Sequence, residues 1–182
     1  MKPLSLLITA AALAVFASPA AAQEVERSMG PVFTEYGPVA DLDYDMELPA
    51  DAHFRVAFDI SRQTDVGTVN RQIESAARFI NMHVRNGVPE ERVQVAIVIH
   101  GGAGIDLLHD EAYGARNDGA ANASGPLVAA LLEHGVQIYL CGQSATRMGI
   151  AKEDLIPGVT MALSAMTAHA LLQQQGYTLN PF

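Results

Sequence analysis

The 182-residue chain has no tryptophan, only 6% aromatic residues and a single cysteine, Cys141. So few rings argue against a stacked aromatic platform for sugars. One cysteine rules out an intramolecular disulfide. Basic residues are also scarce, with 11 Lys and Arg against 20 Asp and Glu and a net charge of −9. That balance disfavours nucleic acid and anionic membrane surfaces as partners. Beyond the first 22 residues no apolar run approaches the roughly 20 residues that a bilayer span needs. The six histidines show no H-x-H or H-E-x-x-H spacing, so no metal site is predicted. The serine-hydrolase pattern G-x-S-x-G and the phosphate-loop ending G-K-[ST] are missing as well.

The amino-terminal segment is informative. Lys2 provides a positive start, residues 4–16 are almost wholly apolar, and Ser18-Pro19 ends the run. Ala20-Ala21-Ala22 then offers a small-residue cleavage site, so residues 1–22 read as a signal peptide cut between Ala22 and Gln23. The expected address is periplasmic or secreted, with no membrane attachment after cleavage. Neither an Arg-Arg pair nor a cysteine at the cut is present, against twin-Arg export and a lipid anchor.

Residues 23–52 read as an extended acidic arm. Pro31, Gly37-Pro38 and Pro49 break it up, and Asp41, Asp43, Asp45 and Glu47 charge it. It is expected to be solvated or wrapped on a neighbouring subunit. From residue 53 to 182 strands and helices alternate. Strands are predicted at 54–60, 93–99, 136–140 and 159–163, with a last edge strand at 177–179. Helices are predicted at 66–85, capped by Asp65, at 126–134, at 145–149, capped by Ser144, and from Ser164 to about Gln175. A short helix falls within 105–113. This alternation implies an α/β fold with a mostly parallel sheet and helices on both faces.

In such sheets chemistry gathers at the carboxyl ends of the strands. Cys141 and His100 both fall there. Cys141 precedes Gly142-Gln143-Ser144, whose backbone N–H groups can face a thiolate, and Arg147 can add positive charge. His100 can serve as a base beside the thiol. Gly101, Gly102 and Gly104 let backbone approach closely, and with Gly142, Gln143 and Ser144 they line the candidate ligand-binding rim. A buried, inert cysteine and a loop-bonded histidine are the plain alternatives. His169, in mid-helix, reads as a partly buried structural residue. Asn122-Ala123-Ser124 matches a glycosylation acceptor, although so short a triplet often arises by chance.

The stretch from Gly135 to Ile150, with Cys141, Arg147 and Gly149-Ile150 at their offsets, resembles the persulfide-cysteine region of the DsrE/DsrF-like sulfur-relay family. Leu155-Ile156-Pro157-Gly158-Val159, the Ser164-Ala165 helix start and Gln175-Gly176-Tyr177 continue the likeness, and Val98-Ile99-His100-Gly101 resembles the exported branch. The resemblance spans roughly residues 54–180. It implies a three-layer α/β/α sandwich on a parallel sheet of about five strands. It also implies a homo- or hetero-oligomer, of which a homo-oligomer is expected here, a sulfur donor or acceptor protein as partner, and sulfane sulfur held as a persulfide on Cys141 without a cofactor. The alternative on the same fold is a non-catalytic oligomeric module that binds a small ligand.

Overall fold

A computed structural model describes residues 26–181 of the chain. The leader and cleavage site expected from the sequence lie outside those residues.

Two short strands, β1 (Arg27–Ser28) and β2 (Val39–Ala40), pair antiparallel. The main sheet contains β3 (Phe54–Ile60), β4 (Val93–Ile99), β5 (Gln137–Cys141), β6 (Thr160–Ala162) and β7 (Thr178–Asn180). Its order is β6-β5-β4-β3-β7, and every pair is parallel. The helices are α1 (Arg71–Arg85), α2 (Asp110–Gly114), α3 (Gly125–Glu133), α4 (Gly142–Met148) and α5 (Ala165–Gln174).

Alternation along the central strands sorts the two faces. Val56, Phe58 and Ile60 of β3, Val95, Ile97 and Ile99 of β4, and Ile138 and Leu140 of β5 join one core with Ile73 and Ala77 of α1 and Leu127 and Leu131 of α3. Ala57, Ala96 and Val98 point the other way, into a small core with Ala168 and Leu172 of α5. The chain advances from β3 to β6 in one direction, then returns across the sheet to β7. A right-handed crossover must change face when the direction reverses, so among the described residues α5 is the helix that covers the second face. Among the described residues the second helical layer of the sandwich is thus a single helix.

Several boundaries differ from the sequence reading. Helix α1 starts at Arg71, not Val66. Gly67 sits at φ +80°, and Thr68 N donates to Asp65 O in a turn. Asn70 is the cap, its side chain accepting from Gln72 N and Ile73 N. Helix α4 begins at Gly142 with Cys141 as its N-cap residue, so Ser144 lies inside the helix and does not cap it. A 3-10 turn over Gly101–Leu107 precedes α2 in the region read as one short helix.

The arm is corrected in part. Phe33 and Val39 are buried, and buried Asn81 on α1 holds the segment. Its Oδ1 accepts from Val32 N and Phe33 N, and its Nδ2 donates to the carbonyls of Phe33, Tyr36 and Gly37. Residues 41–47 remain exposed, as their charges require.

Candidate functional site

Cys141 ends β5, with its side chain on the α5 face alongside Tyr139. It is buried, 6% exposed. Burial pushes its thiol up. Hydrogen bonds from the Ser144 N–H, the Ala165 N–H, the Ser144 hydroxyl and the Gln143 N–H outweigh that and hold it below the ordinary thiol value. Two chain segments supply these donors: the first turn of α4, and the start of α5. Gly142 lets them meet, because a Cβ there would lie 2.6 Å from Ala162 O. Gln143 is exposed, and its Nε2 donates to Leu163 O at 3.3 Å.

His100 follows β4 directly. Pairing Ile99 with Leu140 makes His100 and Cys141 the next register neighbours, on the α5 face. The ring leans the other way, however. His100 Nε2 lies 3.3 Å from Asp59 Oδ2 on β3. The groups that lower the thiol are the four donors named above, and the His100 ring is not one of them. Arg147 is exposed in the last turn of α4 and is not one of them either.

Asp59 is the residue that sequence reading missed. Its Oδ1 accepts from His169 Nε2 on α5 at 2.8 Å, while Oδ2 faces His100. Burial pushes the Asp59 carboxyl up, but the hydrogen bonds from His169 and His100, and their charge when protonated, bring it below the usual value. The clue was an acid sharing a strand face with fully buried Ala57. Its partners lie 41 and 110 residues away, beyond any local pattern.

The glycine loop holds backbone together. Gly101 sits at φ +56°, and a Cβ there would meet Ser61 O at 2.9 Å. Gly102 faces Gln63, and a Cβ on Gly104 would strike the Met148 methyl at 2.7 Å. Gly101 N donates to Ser144 Oγ at 3.0 Å, tying the loop to α4. Gly101 and Gly104 are therefore close-approach positions, while a Cβ on Gly102 would make only an ordinary contact with Gln63 at 3.5 Å. Asn122 is buried, and its Nδ2 donates to Asp106 O and Leu108 O. That is a structural amide, not a glycan acceptor.

Among the described residues no group of three His, Cys, Asp or Glu side chains is arranged to hold a metal ion. A groove of 550 Å³ opens at the amino ends of the strands, lined by Glu90, Gln94, His134 and Gln137. Another, of 450 Å³, lies under the arm beside Met46 and Met82. Cys141 lines neither groove.

Fold and site define a class: a small parallel α/β protein with one cysteine at a strand's carboxyl end, its sulfur ringed by hydrogen-bond donors. The model of the DsrE/DsrF-like family matches residues 55–181, and the chain belongs to that family. Among solved structures, MTH1491 from Methanobacterium thermoautotrophicum, described as a protein of unknown function, is similar at 21% identity and TM-score 0.51. That match covers 71% of this chain and 99% of the other. The ychN protein from E. coli is similar at 14% identity and TM-score 0.51, covering 71% of this chain and all of its own. These two likenesses speak for the fold alone. A comparison with curated proteins returns no match.

Proposed function

We propose that this protein is an exported sulfur carrier that holds sulfane sulfur as a persulfide on Cys141. The observation that carries the reading is the convergence of donors from α4 and α5 on one buried sulfur. Such a site stabilises an anion on sulfur, whether thiolate or persulfide. Loading balances without a redox partner. The Cys141 thiolate attacks the outer sulfur of a persulfide or polysulfide donor and forms a new S–S bond. The donor's own S–S bond breaks, and its electron pair leaves on the departing thiolate. Transfer onward is the same step in reverse direction, on an acceptor thiolate.

Only 6% of Cys141 is exposed, which favours a slim linear donor over a bulky one. Leu163 and Met166, 72% and 80% exposed, form an apolar lip where α5 begins. That lip supports docking of a donor or acceptor protein, or association of identical chains. The leader supports export, and sequencing the amino terminus of the secreted protein tests it, with Gln23 expected first. The sulfur reading is tested by intact-mass measurement after incubation with polysulfide. Added sulfur on the native chain, absent from Cys141→Ser, supports it. Equal loading of both contradicts it.

A further inference from the structure

The thiol-holding donor from Ala165 has a visible cause on the same face of the sheet, two strands away on β3. Ala165, Ala168, His169 and Leu172 lie along one stripe of α5 by helical spacing. Ala168 and Leu172 pack on the sheet, and the first turn brings the Ala165 N–H to the sulfur. One turn further on, His169 Nε2 reaches Asp59 Oδ1 at 2.8 Å. The other ring nitrogen, Nδ1, is buried without a hydrogen-bond partner. The bond to Asp59 is therefore the ring's polar anchor. The apolar core under α5 is small, with alanines at Ala57, Ala96 and Ala168, so packing alone grips the helix lightly. Asp59 also faces His100, the register neighbour of Cys141, so one carboxylate braces both flanks of the cysteine.

We propose that Asp59 is a positioning residue for Cys141: by anchoring His169 it fixes α5 where the Ala165 N–H meets the sulfur, and by holding His100 it sets the neighbouring strand end. This rests on the reading of Cys141 as the group that takes up sulfur.

The sign of the effect separates positioning from simple electrostatics. A carboxylate near a thiolate repels it, so removing the charge alone would make the thiol more acidic. Loss of a positioned donor does the opposite.

The experiment follows iodoacetamide alkylation of Cys141 against pH in the mature chain, comparing native protein, Asp59→Ala and Asp59→Asn. Far-ultraviolet dichroism checks folding. The native midpoint is expected below the ordinary thiol value. Asp59→Ala should move it up by about one pH unit, which is about tenfold less thiolate on the acid side. Its alkaline plateau should stay within about twofold of native, since the accessible thiol is the same. Asp59→Asn keeps an acceptor for His169 and should fall between the two. A midpoint that is unchanged or lower in folded Asp59→Ala overturns the proposal, as does a change confined to the plateau. If Asp59→Ala does not fold, His169→Ala is read by the same criteria. Sulfur loading is measured separately by mass. If the native chain takes no sulfur but folded Asp59→Ala shows the raised midpoint, the carrier reading alone is refuted; if the native chain loads and the Asp59→Ala midpoint does not move, the positioning role alone is refuted.

Discussion

The Ser144 hydroxyl accepts a hydrogen bond from Gly101 N at 3.0 Å, and the same residue donates to the Cys141 sulfur. One small side chain thus joins the loop after β4 to the thiol at the end of β5. Ser144→Ala removes both links while leaving the Ser144 backbone donor in place. A hydrogen bond to a charged group contributes about 1.5–3 kcal/mol, so the thiolate population at neutral pH should fall at least about tenfold. Alkylation rates near neutrality report it, and a rate equal to native would deny Ser144 this role.

Gly142→Ala should weaken the fold at the site itself. The added Cβ would lie 2.6 Å from the Ala162 carbonyl oxygen, a backbone atom that cannot swing aside. Parting β5 from β6 is the relief available, at about 1–3 kcal/mol. Urea unfolding measures the loss.

Asn81→Ala should loosen the arm. It strips partners from two backbone N–H groups and three carbonyls at once. A cost of about 2–5 kcal/mol is expected, because several of these groups are buried. Limited proteolysis should cut around residues 30–40 faster than in the native chain, with Cys141 alkylation little changed.

Asp106 gives a pH dependence of known sign. It is fully buried, its Oδ2 accepts from Asn70 Nδ2 and Thr64 N, and its Oδ1 has no hydrogen-bond partner. Burial pushes its carboxyl above 3.8, more than the two hydrogen bonds lower it. The folded state therefore favours the protonated acid. That preference stabilises the fold fully below the ordinary carboxylate value and is lost as pH rises through the raised one. Asp106→Asn cannot ionise, so its stability relative to native should improve between about pH 4 and about pH 7. Urea midpoints at the two pH values check this, and a difference that stays constant contradicts it.

Local pattern made the sheet legible and left the wiring of the site hidden. Strands β3, β4 and β5 declared themselves because both faces are covered and their residues run apolar. Cys141 stood out as the one thiol, at a strand end followed by Gly142. The family likeness was legible over nearly the same span that the family model matches. Donors that depend on folding were not legible. Ala165 comes to the sulfur only because α5 crosses back over the sheet, and Asp59 meets His169 across 110 residues. The start of α1 was misplaced because Asp65 and Asn70 are both good caps, and Gly67 between them decides. The arm looked solvated because its charges lie at 41–47, while its anchors, Phe33 and Val39, are single residues without a period.

The most direct measurement is the intact mass of the purified protein after polysulfide treatment and removal of excess donor, beside Cys141→Ser. One added sulfur on the native protein, released by a thiol reductant and absent from Cys141→Ser, is the predicted result. A native chain whose mass does not change, or a Cys141→Ser chain that loads equally, would contradict the account.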